Sequence, residues 1–194
     1  MINWTLERTS DQSHLGVSLQ EAKDHLRVSG SGQDDLITLL IQAATEQVER
    51  DTARAVLTAT WRQSLDKFPC DGDPFDLYQR PVTAVTSLTY YDADGNLQTL
   101  DSSLWSHSTA RNKVYYEGGD GAWPQTKETK SDTVFVAFTA GVADSGCVPR
   151  LVKQAILLEV GRAFFDPAQE NGVNTNDGRS YEAIVAKLRR SSYP

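Results

Sequence analysis

The sequence predicts an α+β protein in which N-terminal and C-terminal helices form a small helical core around an inserted antiparallel β region. Three observations carry this. Apolar residues recur with helical period between Asp34 and Arg50, the period drops to two after Arg54, and strongly apolar helical sequence returns at Pro149. With 194 residues, 39% of them hydrophobic, the chain is long enough to bury an ordinary core as one domain over 1–194. Within it, 1–55 and 148–166 are expected to form the helical core and 56–147 the β insertion. A flexible linker and a C-terminal docking helix are expected over 167–194.

The first helix opens at Ser18-Leu19-Gln20-Glu21, a capping box with Val17 and Ala22 placed for a hydrophobic staple, and runs to about Val28. Ser29-Gly30-Ser31-Gly32 breaks it. A longer helix starts at Asp34 and Asp35, whose charges suit the positive end of the helix dipole. Ile37, Ile41, Ala44 and Val48 form its core face with Leu36, Leu40 and Ala43 beside them, and Thr38, Gln42, Thr45 and Glu49 line the opposite side.

Leu57 to Leu65 then alternates apolar and polar residues, the signature of a half-buried strand. Val82 to Tyr91, rich in Val, Thr and Tyr, and Leu97 to Leu100 flank the turn signal Asp94-Gly95, which predicts a hairpin. Phe75 to Tyr78, Lys113 to Tyr116 and Thr133 to Thr139 are further short strands, and the expected sheet is an antiparallel meander. Pro149 opens the most apolar helix, ended after Phe165 by Asp166-Pro167. Ala168 to Arg179, dominated by Asn, Gly and Gln, reads as a mobile linker, and Tyr181 to Arg190 as a short last helix.

The net charge of −7 argues against non-specific grip on DNA, which needs a surplus of Lys and Arg. The imbalance lies in the body: residues 1 to 149 hold 12 basic and 21 acidic side chains, residues 150 to 194 hold 7 and 5. No run approaches membrane-spanning length, and the N-terminus lacks an export signal, so no membrane role is expected. Cys70 and Cys147 match no zinc spacing and suggest no disulfide framework.

No catalytic residue, cofactor site or metal site is predicted. His14, His25 and His107 sit outside any recognised catalytic motif, and no nucleophile elbow, zinc helix or phosphate loop is present. Asp92-Ala93-Asp94-Gly95-Asn96 lacks the further ligands of a calcium loop and is better explained as a turn. Asp71, Asp73 and Asp76 form an acidic cluster typical of solvated turns. Trp61, Tyr90, Tyr91, Trp105, Tyr115, Tyr116 and Trp123 offer either a stacking platform for single-stranded nucleic acid or sugar, or packing. Without interleaved basic residues, packing is preferred. A protein-binding structural part is therefore expected rather than an enzyme.

The order of these elements resembles the head-to-tail connector proteins of tailed bacteriophages, the gp6-like and gp8-like adaptor families. The resemblance rests on Ser18 to Lys23 with Leu26, the Asp34 to Arg50 helix, Arg80-Pro81-Val82 leading to Leu88 through Gly95, and Phe138 to Gly141 before Val148-Pro149 and Ala155 to Leu158. It implies a dodecameric ring beneath the portal protein, in the neck of the virion, assembled in the host cytoplasm. Such a ring extends the DNA channel, meets the next neck or tail protein, and lets genomic DNA pass without sequence-specific binding. An acidic body suits a channel wall past which phosphates must slide.

Within this frame the last helix is the candidate portal-docking arm, with Tyr181, Ile184 and Leu188 as apolar anchors and Arg189 and Arg190 as charged contacts. Removal of the chain from Ala168 onward is then expected to leave the fold intact and abolish portal binding. The alternatives are a helix that folds back on its own domain, a different neck or tail-completion protein, and, from another class, a hydrolase or sugar-binding module using the aromatic β region with Asp71, Asp73 or Asp92.

Overall fold

The computed structural model describes residues 3–10, 15–119, 121–127, 130–165 and 175–190, the last stretch with side chains from 180 to 189. It is α+β, as the sequence predicts, and its contacts divide it into two compact units. Gln12–Thr58 with Val142–Tyr193 make a helical unit, and Met1–Asp11 with Ala59–Gly141 make a sheet unit.

The helical unit holds α1 (Leu19–Leu26), α2 (Asp34–Thr52), α3 (Arg150–Phe165) and α4 (Thr175–Arg190). The capping box forms as read. Ser18 Oγ accepts from the Glu21 amide at 3.2 Å and the Glu21 carboxylate accepts from the Ser18 amide at 2.8 Å. Glu21 also pairs with Lys153 at 2.6 Å, tying α1 to α3, and Lys23 pairs with Asp34 at 2.7 Å, tying α1 to the start of α2. The Lys153 hydrogen bond, with the Ser18 amide, holds the Glu21 carboxyl below its ordinary range. Ile37, Ile41, Val48, Ala155, Ile156 and Val160 are wholly buried in the shared core, and each large aliphatic side chain there contributes about 1.5–3 kcal/mol.

One face of α2 differs from its sequence reading. Thr45 and Glu49, expected to point outward, are buried, whereas Leu36 and Ala43, expected beside the core, are exposed. The polar pair is tolerated because each is satisfied locally. Thr45 Oγ1 donates to the Ile41 carbonyl at 2.7 Å, and the Glu49 carboxylate accepts from the Val56 amide at 2.7 Å, just past the left-handed Ala53 that ends the helix. Gly16 fills the tightest point of this packing. A Cβ there would stand 2.8 Å from both Ile156 Cδ1 and Thr45 Oγ1.

The sheet unit holds β1 (Trp4–Arg8), β2 (Ala59–Leu65), β3 (Phe75–Asp76), β4 (Val82–Tyr91), β5 (Leu97–Thr99), β6 (Trp105–Ser108), β7 (Lys113–Tyr116) and β8 (Val134–Ala140). Two antiparallel sheets result, of order β1-β2-β8-β4-β5 and β3-β7-β6. The expected meander is thus corrected. β8 inserts between β2 and β4, because its Val134, Val136, Phe138 and Ala140 alternate wholly buried along one face and fit only a central position. Trp4–Arg8, grouped with the helical core in the sequence reading, instead pairs as an edge strand with β2, and β6 was not foreseen.

Buried polar side chains fix the second sheet to the first. Gln63, fully buried on β2, donates to the Asp76 carbonyl at 2.8 Å and accepts from the Tyr78 amide at 3.0 Å. Asn112 accepts from the Val82 amide at 3.1 Å and, through its carbonyl, from Leu77 at 2.8 Å. The predicted hairpin forms at Asp92–Asn96, with Gly95 at φ 92, a conformation that favours glycine.

Candidate interaction surface

The predicted docking residues lie on α4, which begins at Thr175. Residues 175–179, expected to be linker, are therefore helical, and 168–174 lie outside the described residues. The structure uses the proposed anchors internally. Ile184 and Leu188 are each 7% exposed and belong to the core shared with α2 and α3, so in this conformation they hold α4 to its own unit. Tyr181 is half-buried and donates its hydroxyl to Asp51 Oδ2 at 2.6 Å. Arg189 Nε donates to the Asp51 carbonyl, and Arg54 Nε donates to the Leu188 carbonyl at 3.3 Å. The Arg190 side chain lies outside the described residues. What α4 turns outward is Glu182, Ala183, Ala186, Lys187 and the exposed side of Arg189.

Asp51 is the electrostatic centre of this seam. Burial pushes its carboxyl up, but hydrogen bonds from Tyr181 and Gln47 and the charges of Arg189 and Arg50 outweigh that and hold it below the ordinary aspartate range. Burial, then the bond to Asp51, pushes the Tyr181 hydroxyl far up, so it stays a donor. A groove of about 540 Å³ between α2, α3 and α4 is lined by Asp51, Glu159, Arg162, Tyr181 and Arg189. Its charges answer one another: Arg162 pairs with Glu159 one turn back, as Arg189 and Tyr181 engage Asp51. The groove is thus a seam in which these charged groups pair across α2, α3 and α4.

The remaining candidates are not brought together. His25 lies on α1 and His107 on β6, while His14 lies outside the described residues. Asp92 caps its own turn, accepting from the Asn96 amide at 2.8 Å and from Gln98 at 2.9 Å. The Gln98 bond, first, and that amide hold its carboxyl low. Asp73 offers its carbonyl to Trp123, and Asp76 meets Lys113 at 3.6 Å. Among the described residues no group of three or more His, Cys, Asp or Glu could hold a metal ion. Cys70 and Cys147 are exposed, unpaired thiols.

Of the aromatic candidates in the β region, Trp61 and Trp123 are core, while Tyr90, Tyr91, Trp105, Tyr115 and Tyr116 are half-buried, with Lys130 Nζ 3.2 Å above the Tyr91 ring. Trp123 is buried, stacked on Phe68 at 4.8 Å and flanked by Phe75 and Tyr116, and Trp61 is buried on β2 of the larger sheet. An exposed stack does exist, Trp4 on Tyr78 at 4.0 Å, but sequence reading had not singled out either ring, because their contact joins an edge strand to a distant loop. Among the described residues no helix is long and apolar enough to cross a membrane.

The helical unit presents the groove and the outer face of α4, and the sheet unit the exposed Trp4–Tyr78 stack. Residues 17–96 match the family model described as phage gp6-like head-tail connector protein. That stretch covers α1, α2 and the strands as far as the hairpin turn. In fold the chain is similar to solved structures of gene transfer agent (GTA) particles. For the neck of the empty particle computed with C6 symmetry, the TM-score is 0.75 at 22% identity, covering 95% of each chain. For the neck of the native particle computed with C12 symmetry it is 0.72 at 22% identity, covering 95% of this chain and 94% of that one. The virion of the native particle gives 0.72 at 22% identity, with 95% of each chain covered. No curated protein matches in sequence. Over residues 17–96 the chain is thus similar to the gp6-like head-tail connectors, and over nearly its whole length it shares the fold of a particle-neck protein.

Proposed function

We propose that the chain is a structural adaptor that assembles as a dodecameric ring in the neck of a tailed phage or phage-like particle. The ring sits beneath the portal protein, presents its far side to the next neck or tail component, and surrounds a channel through which genomic DNA passes. Subunits are made and assembled in the host cytoplasm. The observation that carries this is the fold match, over 95% of this chain and 94% of the other, to a protein of a particle neck computed with C12 symmetry, joined to the connector match over residues 17–96. The C6 neck is compatible with it, since a ring of twelve contains six-fold symmetry.

The geometry supports an architectural role. A ring subunit needs rigid bodies with lateral faces, and each unit has a complete core of its own. No step of the role requires catalysis. The docking helix remains a proposal in altered form: with Ile184 and Leu188 committed to the core, α4 meets the portal through its outer face, where Lys187 and Arg189 are exposed. Deleting everything after Ala168 also removes core, so it does not isolate docking.

Native mass measurement of the chain co-expressed with its cognate portal tests the assignment. Twelve chains on the portal complex are expected. A chain that stays monomeric beside intact portal, or that binds only a tail component, overturns the portal adaptor in favour of another neck or tail-completion role.

A further inference from the structure

Two faces of the helical unit stay apolar after its core is complete. On α2 the side turned from the core carries Leu36 at 47% exposure, Leu39 at 60%, and exposed Ala43. Spacings of three and four place them in one stripe, and Asp35 and Glu46 flank it. On α3 the core takes Val152, Ala155, Ile156 and Val160, yet Leu151 stands 44% exposed and Leu157 and Leu158 are half-buried. Apolar side chains thus extend beyond the core face of α3, although Arg150, Lys153 and Gln154 interrupt them. Leu157 and Leu158 line a hollow of about 400 Å³ between α1 and α3 with His25, Arg150 and Lys153.

One face is therefore projecting leucine with acidic flanks, and the other is an apolar hollow with basic flanks. We propose that they are the two halves of the subunit-subunit contact: the α2 stripe of one copy seats in the α1–α3 hollow of the next. This rests on the ring assignment and names the surface that closes it. Charge selects the geometry. Two like faces would bring Asp35 and Glu46 against their own copies, which disfavours a two-fold pair, whereas unlike faces attract and generate a head-to-tail series that closes into a ring. The contact also explains why a soluble subunit keeps a leucine stripe in water.

The test uses full-length chain with portal, and counts subunits per complex by native mass as concentration rises. Leu39→Glu alters an exposed side chain, so its free subunit should unfold thermally as the parent does. Asp35→Lys and Arg150→Glu exchange charges in the first turns of α2 and α3, so the first should unfold slightly below the parent and the second slightly above it, which separates stability from ring filling. Each should raise the concentration needed to fill the ring roughly tenfold or more, as loss of a central interface contact does. An equimolar mixture of D35K and R150E should fill as the parent does, because subunits alternating around an even-numbered ring regain an opposite-sign pair at every contact. Single variants that fill normally, or a mixture that stays as defective as its parts, overturn the proposed contact while the ring stands. A parent chain that forms no ring sinks the ring assignment itself, and this contact with it.

Discussion

At the scale of single residues, the least replaceable side chains are polar ones inside the fold. Gln63 lies fully buried on β2 and closes both of its hydrogen bonds on backbone atoms of β3 and the loop after it. Gln63→Leu keeps the volume but strands the Asp76 carbonyl and the Tyr78 amide without water or partner. A loss of about 2–4 kcal/mol is expected, the usual cost of two orphaned buried groups. All four tryptophans, Trp4, Trp61, Trp105 and Trp123, lie in the sheet unit, so their fluorescence during urea unfolding reports that unit by itself. An unchanged midpoint for Q63L would mean that water replaces both bonds. The same local logic buries Thr45 and Glu49, whose polar atoms are satisfied by Ile41 and Val56, and no periodicity count over α2 can anticipate it.

At the scale of elements, α4 is held by a polar seam as well as by Ile184 and Leu188. Asp51 binds the Tyr181 hydroxyl, and its carboxyl is held low. A depressed carboxylate contributes stability that is present above the ordinary aspartate value of 3.8 and is lost as pH falls through the lower folded value. The α4 amide NMR shifts should therefore drift toward a loosened helix as acid is added below that point. Asp51→Asn should show part of the drift already at neutral pH, at a cost of about 1 kcal/mol after allowance for solvent at this half-exposed site, and should respond less to acid. Equal acid responses in parent and variant would assign the effect to other carboxylates.

Legibility followed the range of the interactions. The Ser18 capping box, the β4 hairpin and α3 are set by neighbours within a few residues, and each was readable from the sequence. β1 was missed because Trp4 to Arg8 is a mostly exposed edge strand defined by pairing with residues 61–65. The place of β8 between β2 and β4 is equally a long-range choice. The first turn of α4 was misread because its Asn, Asp and Gly resemble linker, although the first amides of a helix need no internal partner and low propensity costs little there. Tyr181, Ile184 and Leu188 were read as portal anchors, but periodicity reports only that a face is covered, and here the chain's own core covers Ile184 and Leu188. Whether its own domain or a partner covers it is decided by the fold.

At the scale of the whole molecule the controlling quantity is charge. Each subunit carries a formal −7, and the sheet unit and the helical unit are both acidic in sum. In the proposed ring, twelve copies would multiply that field, so whichever surface lined the channel, the ring as a body would repel phosphate more than bind it. Grip on duplex DNA grows with each phosphate that a Lys or Arg neutralises and falls steeply with salt. The assembled ring should therefore show no measurable affinity for duplex DNA in a fluorescence-anisotropy titration at physiological salt. Lowering the salt should not rescue binding, as it would for a protein with a basic groove, because weaker screening strengthens net repulsion as readily as attraction. Saturable binding that tightens on dilution of salt would mean that the assembly gathers its Lys and Arg on the channel wall, and that DNA is held there rather than passed.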